Sequence, residues 1–175
     1  MTLLEIGSVR TGAVSPDAVT VDCAPGADHL AQWGMDPLPV EDASFDEVYA
    51  SHTLEHVPWF NTQKALSEVF RVLKSGGVFE VWVPNFAYLV DCYQKKRCGD
   101  KWRRFNKQNN PMLWVNGRIF TYGPGEENWH RAVFDEPHLH ECLASAGFVE
   151  ITQIPQRTRG TSHGPIDLGM LARKL

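Results

Sequence analysis

The sequence is short of the features that would settle its class at once. No apolar run approaches the roughly 20 residues that cross a bilayer. A composition of 43% hydrophobic and 22% charged residues excludes disorder, collagen and coiled coil. The four cysteines (Cys23, Cys92, Cys98, Cys142) are irregularly spaced, which argues against a disulfide framework and for reduced thiols in the cytoplasm. The opening MTLLEIGSVRTG lacks the basic and apolar regions of a secretory signal. CxxC and HExxH spacings are missing, and His138 and His140 diverge on a helix, so no metal site is expected. Missing too is G-x-G-x-x-G, which counts against a nicotinamide-dependent dehydrogenase.

At 175 residues the chain is expected to form one domain, 1–175, large enough to bury a core without metals or disulfides. Its net charge of −4 hides an asymmetry. Residues 95–107 hold seven basic side chains (Lys95, Lys96, Arg97, Lys101, Arg103, Arg104, Lys107) and one acid, Asp100, a window of +6. The rest of the chain holds 10 basic against 20 acidic residues, or −10. One basic cluster on an acidic body falls short of a nucleic-acid footprint.

Short apolar or β-branched runs at 2–7, 18–22 and 45–51 read as buried strands. His29–Trp33 is a weaker strand candidate. Eleven residues, including Gly12 and Pro16, separate Gly7 from Val19. That is cramped for a helical crossover, so a loop with at most one helical turn is expected. Asn61–Leu73 repeats Leu66, Val69, Phe70 and Leu73 at helical spacing, with Asn61 placed to cap and Gly76-Gly77 to stop it. A strand at 78–83 follows. A second helix runs from about Glu136 to Ala146, capped by Asp135 and ended by Gly147. Strands at 148–154 and 166–173 close the chain, joined by the polar loop QRTRGTSHG. Residues 86–131 break this rhythm and read as an insertion or lid. The alternation predicts an α/β fold with a mostly parallel sheet, whose ligands bind beyond the carboxyl ends of the strands.

Read in order, LEIGS, VTVD, GMDPLPVEDASFDEVYASHTLEHV and ALSEVFRVLKSGGVFEVWVPNF resemble class I S-adenosylmethionine (SAM)-dependent methyltransferases. The likeness is to a small, type-11-like branch with D-x-L-P-x-x-D-x-S-F-D, then L-E-H, then R-V-L-K-x-G-G. It covers residues 3–90 well and 135–173 more loosely. Asn128-Trp129-His130 matches an N-x-H that some members carry before the last helix. The resemblance implies a Rossmann-like sheet with helices on both faces, a shortened first crossover and an antiparallel last strand. It also implies SAM as cofactor. Asp22 matches the residue that takes the ribose hydroxyls, and Asp36, followed by Leu38, the one beside the adenine. Glu5 and Gly7 match the opening motif, and Ser51 lies where the methionine end sits. His52 and His130 are nominated by position as catalytic bases, with Tyr122 and Glu55 behind them.

These features imply methyl transfer to an O or N of a small-molecule, nucleotide-sugar or glycan acceptor. The lid interleaves the basic cluster with Trp102, Phe105, Trp114, Phe120, Tyr122 and Trp129, which suits an anionic one. Nucleic acid and membrane spans are not expected, and a homodimer stays open. The chain reads Gly7-Ser8-Val9-Arg10-Thr11-Gly12 where the family carries G-x-G-x-G. That departure supports an alternative: a non-catalytic SAM-fold protein binding a partner or polyanion through the 95–107 insert.

Overall fold

A computed structural model describes residues 1–96, 110–120, 125 and 128–175. Seven strands form one sheet: β1 (Leu3–Ile6), β2 (Val19–Asp22), β3 (His29–Leu30), β4 (Phe45–Ser51), β5 (Leu73–Pro84), β6 (Val149–Ile154) and β7 (Asp167–Arg173). Their spatial order is β3-β2-β1-β4-β5-β7-β6. β1 to β5 pair in parallel, while β7 runs antiparallel to both β5 and β6. The sheet is Rossmann-like, as the resemblance implied.

The first crossover holds only a 3₁₀ turn, Arg10–Gly12. Side-chain bonds fasten it where a helix would otherwise pack. Arg10 donates to the Ala18 carbonyl at 2.5 Å and pairs with Asp28 at 3.2 Å. The Val14 amide donates to the buried Glu5 carboxylate at 2.7 Å.

Helix α1 (Thr62–Val72) forms because Ala65, Leu66, Val69 and Val72 fall on one stripe, and all four are fully buried. They meet Val48, Phe79 and Val81 of the sheet, and Leu139 and Leu143 of α4 (Glu136–Ser145), in one core. Each fully buried leucine contributes about 1.5–3 kcal/mol. An exposed pair such as Arg173–Glu150 contributes about 0–1 kcal/mol, so the core decides stability. Asp135 caps α4 as expected, accepting from the His138 amide at 3.0 Å.

Alternate residues of β4 and β5 point to the opposite face, and these are polar or aromatic: Glu47, Tyr49, Ser51, Glu80 and Trp82. The 156–164 loop covers them. Arg157 lies over the Trp82 ring at 4.4 Å and Arg159 over Tyr49 at 4.6 Å, and Arg159 also bridges Glu47 and Glu80. The polar loop of the sequence is thus a strap whose two arginines pack on the sheet.

Within 86–131, α2 (Phe86–Gln94) and α3 (Pro111–Ile119) meet through Leu89, Cys92 and Trp114, with Ile166. Asn85 and Asn110 cap them, accepting from Tyr88 and Met112 amides. Tyr122, and Arg97, Lys101, Arg103, Arg104 and Lys107 of the basic window, lie outside the described residues. Among the described residues no helix is long and apolar enough to cross a membrane.

Candidate functional site

A cleft of about 340 Å³ opens at the carboxyl ends of β1, β2 and β4, a size typical of small-ligand sites. Gly7, Asp22 and His52, all singled out in the sequence, border it. So do Gln32, Trp33, Thr53 and Arg131, together with His56 of the L-E-H turn and Asn128 of the N-x-H match.

Gly7 forms the floor. Its amide donates to the Val21 carbonyl at 2.8 Å and its φ is +83°, a left-handed conformation that suits glycine. A Cβ here would lie 1.9 Å from Thr53 Oγ1. The bare backbone thus lets β1 and the end of β4 close together, and Thr53 Oγ1 lies 3.3 Å from the Ile6 carbonyl. Val9 occupies the motif's second glycine position. It turns away to Gly26, whose carbonyl receives the Arg10 amide at 3.0 Å, and it does not line the cleft.

Asp22 ends β2 and borders the cleft, with Oδ1 accepting from the Ala24 amide at 2.8 Å. Asp36 sits one shell back: its carboxylate receives the Gln32 amide at 2.9 Å and closes the turn that presents Gln32 and Trp33. Leu38 is buried in the core. Ser51 faces the strap, with Arg157 donating to its hydroxyl at 2.6 Å. Glu5 is buried below the floor, and that burial raises its pKa against the Val14 hydrogen bond. Asp36, Leu38, Ser51 and Glu5 therefore do not border the cleft.

His52 adopts φ +52° just past β4. Its Nδ1 lies 3.2 Å from Glu55 Oε1 and its Nε2 3.0 Å from Asp167 Oδ1, both carboxylates almost wholly buried. Burial alone would lower its pKa, but the hydrogen bonds to Asp167 and Glu55 outweigh this and raise it to about 9. At neutral pH His52 is an imidazolium with no lone pair to receive a proton. That suits a clamp holding the end of β4 to β7 better than a base. Asp167, hydrogen-bonded to His163 and His52, is held well below the usual carboxylate range despite its burial.

His130 is different. Burial lowers its pKa, offset in part by the Glu55 charge, so it is neutral. Its ring stands edge-on to His56 at 4.9 Å. The segment carrying it is tied to the Leu54–His56 3₁₀ turn, since the Arg131 and Ala132 amides donate to the Glu55 carbonyl at 2.7 and 3.0 Å.

The comparisons with known proteins agree with this arrangement. A family model described as a methyltransferase domain matches residues 13–81. A ubiquinone/menaquinone biosynthesis C-methyltransferase, UbiE, of Brucella anthropi is 37% identical over 79 residues, 45% of this chain and 29% of that protein. The sterol 24-C-methyltransferase erg6 of Schizosaccharomyces pombe is 45% identical over 53 residues, 29% of this chain and 14% of that one. A solved SAM-dependent methyltransferase of Thermotoga maritima, a possible histamine N-methyltransferase, superposes with a TM-score of 0.61 at 20% identity. That superposition covers 99% of this chain and 82% of the other. Over residues 13–81 the chain is similar to the methyltransferase domain, and it shares the fold of the solved methyltransferases along nearly its whole length. It spans under a third of the length of the two curated relatives.

Within the methyltransferase fold the cleft occupies the expected place, beyond the strand ends where the strand order reverses about β1. The residues present fit SAM. There is a glycine floor packed against Thr53, a carboxylate at the end of β2, and room for a nucleoside-sized ligand. Loss of the second glycine leaves the cleft open because Val9 points elsewhere.

Proposed function

We propose that this methyltransferase binds SAM in the cleft and moves its methyl group to an acceptor entering from the Glu55–His56–His130 side. The observation that carries the reading is the juxtaposition of Gly7 and Asp22 across one cleft. When bound, SAM supplies an electrophilic methyl on a sulfonium centre. Asp22 offers a carboxylate to the ribose hydroxyls. Gly7 lets the backbone approach the ligand, and Gln32 and Trp33, held by Asp36, shape the wall on the base side. Methyl transfer is an in-line displacement, so holding donor and acceptor at about 3 Å in line does most of the work.

Neutral His130 and buried Glu55 give the acceptor side an uncharged nitrogen and a carboxylate. A protic oxygen or nitrogen acceptor needs such groups, and this favours an O or N atom of a small molecule, nucleotide sugar or glycan. The names of the curated relatives support a second reading, a carbon acceptor on a quinone or sterol. Exposed Trp59 and Phe60, stacked edge-on at 5.7 Å near this side of the chain, would suit such an apolar molecule. The irregular spacing of the four cysteines fits a reducing compartment, the cytoplasm.

Calorimetry with S-adenosylhomocysteine (SAH) tests the cofactor assignment. Asp22→Ala is expected to weaken binding at least tenfold with the melting temperature unchanged, through loss of a hydrogen bond to a charged group, about 1.5–3 kcal/mol. Equal affinity in the two proteins would remove Asp22 from the site.

A further inference from the structure

We propose that Glu55, His56 and His130 form a binding site for a divalent transition-metal ion on the acceptor side of the cleft. One ligand atom from each residue lies within 4.8 Å of those of the other two. The ligands come from adjacent positions 55 and 56 and from distant 130, which is why no short-spacing signature exists in the sequence.

Three features distinguish this group from a chance cluster of polar side chains. Glu55 is 1% exposed. Its Oε1 is engaged by His52 at 3.2 Å, while its Oε2 is buried and has no hydrogen-bond partner among the described residues. A buried carboxylate oxygen left without a partner calls for one. Second, each histidine has one ring position committed to the backbone: His56 Nδ1 lies 3.3 Å from the Trp129 carbonyl, and the His130 ring bonds the backbone of Arg118. That is the usual outer-shell arrangement around a metal, which fixes a histidine's tautomer and ring orientation. Third, the two segments are fastened together by the Arg131 and Ala132 amides on the Glu55 carbonyl, so the ligands are held before any ion arrives.

Bonds of about 2.1 Å place tetrahedral ligands about 3.4 Å apart, within reach of small side-chain rotations here. Two imidazoles and one carboxylate suit Zn²⁺, Co²⁺, Fe²⁺ or Mn²⁺ and leave a coordination position open. The neighbouring group His52, His163 and Asp167 is a weaker host. Its atoms bond one another, at 3.0 Å for both His52–Asp167 and His52–His163, so their donor atoms are already taken. An ion at the Glu55 group would take a hydroxyl of the acceptor into its open position, with that proton released to solvent. As the oxygen attacks the methyl carbon, the carbon–sulfur bond breaks, its electron pair stays on sulfur and SAH leaves. This role rests on the methyltransferase reading, whereas ion binding does not.

Titration of the full chain, untagged and stripped with chelator, with Co²⁺ tests the site through the metal's visible d–d absorption. One Co²⁺ per chain is expected, with His56→Ala and His130→Ala each weakening binding at least tenfold and His163→Ala leaving it unchanged. Melting curves confirm folding, and His130→Gln replaces His130→Ala if the latter unfolds. Absence of a saturable absorption change overturns the site. So does binding that survives His56→Ala with His130→Ala, or that is lost only in His163→Ala. SAH calorimetry on the same samples separates the two readings. SAH binding without Co²⁺ binding removes the metal site alone, and Co²⁺ binding without SAH binding removes the cofactor reading alone.

Discussion

Gly7→Ala is expected to lower the unfolding midpoint by roughly 5–15 °C and to abolish measurable SAH binding. A left-handed backbone costs an L-residue about 1–2 kcal/mol, and Gly7 sits at φ +83°. The new Cβ would lie 1.9 Å from Thr53 Oγ1, 2.5 Å from Cγ2 and 2.7 Å from Cβ. Forcing such a group into a packed site adds about 1–3 kcal/mol, and each kcal/mol moves the midpoint of a chain this size by about 2–4 °C. Whichever atoms yield, β1 and the Thr53 turn separate at the floor of the cleft. Adding Thr53→Gly removes the colliding side chain and is expected to recover the larger part of the lost stability, leaving the backbone strain. Scanning calorimetry on the single and double variants measures both. An alanine variant that melts and binds like the parent would contradict the close approach.

His52→Ala is expected to destabilise the fold by about 3 kcal/mol, at the lower end of what removing one partner from a buried charged group costs. The cost stays at that end because the His52 side chain is 18% exposed and His163 Nδ1, 3.6 Å from Asp167, takes over part of the contact. Two nearly buried carboxylates, Glu55 and Asp167, lose their shared cation. The distinguishing readout is a double-mutant cycle in urea with Asp167→Asn. Direct contact predicts a coupling of about 1 kcal/mol or more between the two positions. Additive effects would show that His52 does not act through Asp167.

Much of the sheet is written into local pattern. β1, β2 and β4 follow from short apolar runs, and α1 and α4 from their stripes, because each of these segments buries one face against neighbours of ordinary kind. β5 does not. It begins at Leu73, where the sequence places a helix end, because Leu73 pairs with Phe45 across a register shift and the chain enters the sheet at once. Gly76-Gly77 accordingly lies inside the strand. Gly77 is needed because a Cβ would lie 2.8 Å from the Lys74 carbonyl. Asn61 is placed to cap α1, but its side chain makes no cap bond and turns to Met35 Sδ at 3.1 Å.

The candidate site divides in the same way. Gly7 and Asp22 are legible because they end strands, and a strand end in a parallel sheet points to the ligand cleft. The state of His52 is illegible from its surroundings in sequence, since its partner Asp167 lies 115 residues away. Asp36 and Ser51 also follow the strand-end rule, yet their side chains are spent on Gln32 and Arg157, contacts set by how loops fold back. Gln32, Thr53 and Asn128 reach the cleft from loops, where neither periodicity nor spacing fixes a side chain's direction.

The central claim is that one cleft, between Gly7 at the end of β1 and Asp22 at the end of β2, holds the methyl donor. A crystal structure of the chain grown with SAH tests it most directly. The expected result is nucleoside density over Gly7, with both ribose hydroxyls on the Asp22 carboxylate and the sulfur toward the Glu55–His56–His130 side. Ordered SAH elsewhere, or a cleft without nucleoside density at saturating ligand, would contradict it.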